Sequence, residues 1–390
     1  MKTVFVSNFL NHHQTDLCDF LSENCESFYF IEVNPMPRET ANLGYTDYSD
    51  KKYICRTYES IESKRKAEQY VMDADVAIFG ASSDEFLKMR TEKHKLSFVF
   101  SERIWKKGTY RRFIPTTYKK VYNRFLKNKE NNLYVLCASS FLPYDLKLVG
   151  FPIDKCFQWG YFPPADTTEF KTLMALKPQK IRMLWVGRFI PLKRAEDTLK
   201  AAKLLMENGY DFSLDFIGDG VLKDEYKNFV YKYGMNNYVN FLGKMPTESV
   251  REEMKKSTFL IFNSTFKEGW GAVVNEAMNS ACIPVVSHAA GCAYELIRNG
   301  ENGFVYKMGD YYDLYRTLKF AIDNQMTEKC AFNAYNDILT KWNAEIAGSR
   351  LIQLANRIIS GEKTELYSSG PCSPAKEVKN NWYKESIWKI

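Results

Sequence analysis

The residues best suited to chemistry lie between positions 188 and 276. Glu268 and Glu276 stand eight positions apart in KEGWGAVVNEAMNSACIPVV. No single i, i+4 contact on a helix joins carboxylates at that spacing. With Glu268 in the loop before a helix and Glu276 two turns into it, both point at one ligand over the helix start. Gly269 and Gly271, bracketing Trp270, let the main chain approach that ligand, and a helix start favours phosphate. Upstream, LWVGRFIPLKRAEDTL ends an apolar strand at Gly187, then supplies Arg188 and Lys193. Arginine grips phosphate oxygens bidentately, and lysine adds a point charge. Such a set suits a departing diphosphate, whose developing charge needs cations and N–H donors. The plainer alternative is a helix with a solvated acid at each end and two exposed bases in a loop.

These residues need a scaffold, and the chain reads as a succession of strands and helices. Thr3–Val6, Ser27–Val33, Ala74–Phe79, Leu96–Phe100 and Leu133–Cys137 are strand-like, with helical stretches at Thr15–Leu21 and Ser60–Met72. That is the rhythm of a doubly wound α/β sheet. The pattern breaks over 160–180, where three prolines and no clear period mark a linker. A second α/β rhythm follows. Its strands are Met183–Val186, Phe212–Ile217, Val239–Leu242, Phe259–Phe262, Ile283–Val286 and Gly303–Tyr306. Its helices include Glu196–Met206, Leu222–Tyr233 and Thr247–Lys256, the last with Thr247 as N-cap. Trp342–Ile359 reads as a long closing helix. The expected division is 1–164, 165–335 and a tail over 361–390, with the helix at about 340–360 completing the first domain.

Composition narrows the class. With 390 residues, 45% hydrophobic and 26% charged, the chain has the make-up of a two-domain globular protein. No apolar run reaches the roughly 18 residues of a membrane span, and MKTVFVSNFLNHHQ does not read as a signal peptide. Nine irregularly spaced cysteines fit reduced thiols in the cytoplasm. Four histidines, two of them adjacent, give little scope for a metal site. No GxGxxG follows the first strand, which argues against a nicotinamide cofactor. The net charge of +7 is concentrated: residues 103–129 hold ten Lys or Arg and no Asp or Glu. Within that block Tyr118, Val121, Tyr122 and Phe125 form a helical stripe, with Lys119, Lys120, Arg124 and Lys127 mostly off it. Three readings stand: a basic aromatic helix on an anionic membrane, a core-packed helix with a solvated face, and a nucleic-acid contact.

The E-x7-E stretch and the earlier GR-x4-K element resemble those of retaining glycosyltransferases of the GT4-like group (glycosyl transferases group 1). The match is specific over about 183–306 and architectural over the first 160 residues. It implies a GT-B fold, two Rossmann-like doubly wound domains facing a central cleft. Arg188 and Lys193 would then hold the diphosphate and Glu268 the donor sugar, the three forming the catalytic set. Glu276 would bond the ribose. Gly187, Gly218, Gly243, the backbone of Lys244, Gly269, Trp270 and Gly271 would complete the nucleotide-sugar site. Gly218 and Gly243 read equally well as ordinary strand-end turns, and Trp270 departs in size from the aromatic usual there.

The resemblance further implies reaction on one face of the sugar, the departing phosphate oxygen helping to take the acceptor proton. It calls for no metal and no cofactor beyond a UDP- or GDP-sugar donor. The acceptor would be a saccharide, carried on a lipid, in surface polysaccharide or glycolipid biosynthesis. That places the protein in the cytoplasm, peripherally at the inner face of the membrane. The aromatic tail, with Trp382, Tyr383 and Trp388, points the same way, although such tails also dock on proteins. On the acceptor side the loop SNFLNHHQ lacks the glycine pair of relatives. It offers Asn8, Asn11, His12 and His13 for sugar hydroxyls, the histidines also reading as a general base or a helix cap. Glu102 and Arg103 are the other acceptor-side candidates, or else a surface ion pair. SerSer at 82–83 is a lesser one. The alternatives are a nucleotide-sugar epimerase and a non-catalytic protein that binds nucleotide sugar or polysaccharide.

Overall fold

Val4, Phe5 and Val6 are fully buried, and the strand that carries them, β1 (Lys2–Ser7), lies in the interior of the first sheet. The computed structural model describes residues 1–37, 48, 50–82 and 84–389. The chain divides into two units, Met1–Pro164 with Lys341–Lys379, and Ala165–Thr340 with Asn380–Ile390.

In the first unit, β1 is joined by β2 (Ser27–Glu32), β3 (Ile54–Arg56), β4 (Val76–Phe79), β5 (Ser97–Ser101), β6 (Leu133–Cys137) and β7 (Cys156–Gln158). All pair in parallel, in the order β3-β2-β1-β4-β5-β6-β7. β3 and β7 are three-residue strands at the two edges and have no clear signature in the sequence. The helix Ile61–Asp73 is opened by a reciprocal Ser60–Ser63 capping box. Its end is closed by the buried Arg90, which donates to the carbonyls of Val71, Ala74, Asp75 and Leu96. Burial pushes Arg90 down to about 10. The closing helix Ala344–Ile359 packs on Thr15–Asn24. A Cβ on Gly348 would lie 2.3 Å from the Phe20 ring, so only glycine admits this approach.

The second sheet runs β10-β9-β8-β11-β12-β13, again all parallel. Its strands are β8 (Ile181–Val186), β9 (Phe212–Ile217), β10 (Val239–Gly243), β11 (Phe259–Phe262), β12 (Ile283–Ser287) and β13 (Phe304–Tyr306). A core of Trp185, Phe189, Leu199, Phe216, Leu314 and their neighbours fills one face. Two expectations are corrected here. The stretch 160–180 is not a bare linker: Phe170–Ala175 is helical and buries Leu173. Thr247 is the first helical residue, and the helix has no side-chain cap.

The last thirty residues are not one tail, because 361–379 belong to the first unit and 380–390 to the second. Gln158 N donates to Ser373 O at 2.8 Å and Cys372 N to Gln158 O at 2.8 Å, so this segment covers the β7 edge. An unpaired edge would invite other strands. Further on, Trp382 Nε1 donates to His288 O, Tyr383 OH to Val305 O, and Trp388 Nε1 to Asp313 Oδ1. Arg316 lies over the Trp388 ring at 4.5 Å. The tail aromatics are thus engaged by protein, which removes them as support for a membrane anchor.

Candidate functional site

In an open parallel sheet, ligands bind beyond the carboxyl ends of the strands where the strand order reverses. In the second unit that point falls between β8 and β11. Beneath it lies Asn263, 1% exposed, just after β11. Its Oδ1 accepts from Trp185 Nε1 at 2.9 Å and Thr198 Oγ1 at 2.6 Å, and its Nδ2 donates to Tyr306 OH at 2.8 Å. One buried amide therefore ties β8, β11, β13 and the helix Ala195–Glu207 together. Sequence reasoning missed it; an Asn ending the apolar run FLIF was the available signal.

Above this hub two loops meet. Thr265 N donates to Leu192 O at 3.1 Å, and Lys193 Nζ reaches Glu268 Oε2 at 2.5 Å. Ser264 Oγ donates to the same oxygen at 2.6 Å, and Lys193 lies 5.0 Å from the Phe262 ring centroid. Both ions are largely buried, 17% and 16% exposed at their side chains, so their attraction is little screened. The next residue, Arg194, holds a left-handed backbone (φ 46°) and clasps Asp197 with two hydrogen bonds. Arg188 is exposed and makes no ion pair with any described residue. It is the cation of this loop whose charge stays unneutralised.

Gly187, Gly218 and Gly243 sit side by side at the ends of β8, β9 and β10. Gly187 N donates to Ile217 O and Gly218 N to Gly243 O. A Cβ on Gly218 would fall 1.8 Å from Gly187 O, so glycine is required there by backbone packing. Lys244 is exposed beyond the last of them.

Glu276 departs from expectation. Its helix begins at Val273 and spans seven residues, which puts Glu276 in the first turn rather than two turns in. It is buried and pairs with Arg251 Nη2 at 3.2 Å. Burial holds its carboxyl above the usual range, with Arg251 opposing the rise. Trp270 is wholly buried and donates Nε1 to Asn275 Oδ1, so its ring serves the core. Gly271 (φ 101°) packs against the Phe262 ring, where a Cβ would come within 2.7 Å. Gly269 is buried between Glu268 and Trp270. Geometry thus brings Lys193 and Glu268 together and gives Glu276 a separate partner.

The first unit has its own reversal, between β1 and β4. A cavity of about 850 Å³ opens there, lined by the strand-end residues Ser7, Gly80 and Ser101 and by Asn8, Asn11, Gln14, Glu102 and Tyr161 among others. Glu102 accepts from Tyr161 OH at 3.0 Å and pairs with Lys106. Arg103 touches the cavity but is 4% exposed and forked onto the buried Asp145. Its pairing is therefore buried, not a surface ion pair. The rings of His12 and His13 lie 3.8 Å apart at a tilt of 48° and do not line the cavity, whereas Asn8 does. Ser82 lines it too; Ser83 lies outside the described residues.

The basic stripe is interrupted. Pro115–Val121 is α-helical and Tyr122–Leu126 is a π-turn. Val121, Phe125 and Leu126 are buried, but Tyr118 and Tyr122 are exposed. Arg124 turns inward, onto Gly80 O and Asp84.

Residues 166–337 match the family model described as Glycosyl transferases group 1. The uncharacterized glycosyltransferase MJ1178 of Methanocaldococcus jannaschii is 32% identical over 147 residues, 37% of this chain and 39% of that protein. The capsular polysaccharide biosynthesis glycosyltransferase CapM of Staphylococcus aureus is 23% identical over 176 residues, 45% of this chain and 46% of that one. The chain spans less than half the length of these curated relatives. Anabaena Alr3699/HepE, solved in complex with UDP, aligns with a TM-score of 0.69 at 16% identity, covering 92% of this chain and 100% of that one. That likeness is one of fold, and it extends the GT-B class over both units.

Proposed function

We propose that this chain, whose residues 166–337 match the glycosyl transferases group 1 model, is a retaining transferase of that family that moves a hexose from a nucleoside-diphosphate sugar to a saccharide. The observation that carries the reading is the Lys193–Glu268 pair, seated at the sheet reversal inside the matched region. In this reading Arg188 and Lys193 meet the charge that grows on the leaving diphosphate. Glu268, already held by Lys193 and Ser264, orients the donor sugar, and Glu276 accepts from a ribose hydroxyl. The anomeric carbon–oxygen bond to phosphate breaks as the bond to the acceptor oxygen forms on the same face. The acceptor proton passes to the departing phosphate oxygen. UDP is favoured as the nucleotide, since HepE of the same fold has been solved with UDP and with UDP-glucose.

The test is thermal shift with UDP, GDP and their sugars, followed by a transfer assay. Selective binding raises the unfolding temperature. We expect UDP-sugars to stabilise the chain and Glu268→Gln to lose transfer. Full activity in that variant would refute the assignment.

We place the acceptor on a lipid carrier at the cytoplasmic face of a membrane, in surface polysaccharide or glycolipid assembly. CapM, named for capsular polysaccharide biosynthesis, supports that setting. No helix among the described residues is long and apolar enough to cross a membrane. Peripheral contact is supported by Tyr110 and Phe113, 64% and 74% exposed amid the basic block. Exposed aromatics beside cations suit an anionic lipid surface. Sedimentation with anionic vesicles at low salt should occur and weaken in Lys107→Glu/Lys119→Glu. No sedimentation of the wild type removes the membrane from the proposal.

A further inference from the structure

The cavity at the β1/β4 reversal carries a charge pattern that says something about its occupant. Its charged lining residues are Asp84, Glu102, Arg103, Lys106, Lys120 and Arg124. Two pairs cancel within the lining, Glu102 with Lys106 and Asp84 with Arg124. Arg103 is cancelled behind it by Asp145. Lys120 alone remains, exposed and without a carboxylate partner among the described residues. The rest of the wall is uncharged, with the polar Asn8, Asn11, Gln14, Ser101 and Tyr161 set beside the apolar Ala81, Phe100 and Ile104. Amides and hydroxyls of that kind fit sugar hydroxyls. A single unneutralised ammonium fits an anion attached to the sugar, and the excess of basic residues over 103–129 reinforces it.

We infer that the occupant of this cavity is an anionic saccharide, and that Lys120 is the residue that reads its negative group. The inference rests on the glycosyltransferase reading in taking the occupant to be the acceptor. The negative group is a phosphate ester or a uronic carboxylate, and both present oxygens to an ammonium. Lys120 is then a specificity residue, selecting charged acceptors over neutral ones of the same shape.

Calorimetric titration of the full chain with octyl glucoside, octyl glucuronide and octyl phosphate, each kept monomeric at low salt, tests this. We expect one anionic probe to bind roughly tenfold tighter than octyl glucoside, the scale of one charge-assisted hydrogen bond. Preference for the glucuronide identifies an acidic sugar, and preference for the phosphate identifies a phosphate-bearing acceptor. Lys120→Gln should bring the preference below about threefold, since that bond is lost. Arg188→Ala should retain it. Equal binding of all three probes overturns the inference. So does a preference that survives Lys120→Gln or disappears in Arg188→Ala, which would place the anion at the other unit. The transferase reading fails separately, in the absence of stabilisation by any nucleotide sugar.

Discussion

Both units build a site at a reversal of strand order, yet they hold charge in opposite ways. In the second unit the pair Lys193 with Glu268 lies at the reversal itself, over the Asn263 hub. In the first unit the most buried of the described ion pairs, Arg103 with Asp145, lies behind the cavity. Fixed, opposed charges suit a step in which charge develops in a known place. A wall whose charges mostly cancel, with amides and hydroxyls beside apolar side chains, suits recognition of hydroxyls. In the proposed reading the difference separates a unit suited to chemistry from one suited to choice of partner.

Arg103→Ala presses this comparison hardest. It leaves Asp145 buried without its cation, and burial already holds that carboxyl above its ordinary range. Loss of one partner of a buried pair costs about 3–5 kcal/mol, read by chemical denaturation. A variant of unchanged stability but impaired acceptor use would move Arg103 into the site. Arg188→Ala comes next. Because the side chain is exposed and unpaired among described residues, stability should hold while kcat/KM falls by about 2–4 kcal/mol of transition-state stabilisation. A loss of less than tenfold would detach the cation from the reaction.

Glu276→Gln gives the smallest effect. The native carboxyl titrates above its unfolded value, so the folded state retains the extra proton. Its stabilising contribution is full below the ordinary glutamate value of ~4.3. It is lost as pH rises through the raised native value. Without nucleotide, the variant should gain stability relative to the wild type as pH rises from acid to neutral. Denaturation curves at several pH values check this, and parallel behaviour would mean that the carboxyl is not burdened by burial.

Long apolar runs made much of the fold legible. β6, β9 and β11 fall where the runs LYVLC, FSLDFI and FLIF stand. β3 and β7 escaped because three residues at an edge carry no periodicity. The contact of Lys193 with Glu268, 75 residues apart, could be anticipated only through the family resemblance of their two stretches. Asn263 escaped because its importance lies in three partners distant in sequence. Arg103 misled for the same reason: Asp145, 42 residues away, decides its role. The basic stripe misled because a π-turn at Tyr122 changes the period that the stripe assumed.

The chain passes between its units at 164/165, 340/341 and 379/380. No single cut yields two whole halves. A fragment 165–340 would leave His288 and Asp313 without Trp382, Tyr383 and Trp388. A fragment 1–164 would leave β7 without the segment 372–375. Studying the two units by expression of halves would therefore need the carboxy-terminal pieces supplied in trans, or grafted by short loops onto the unit each one covers.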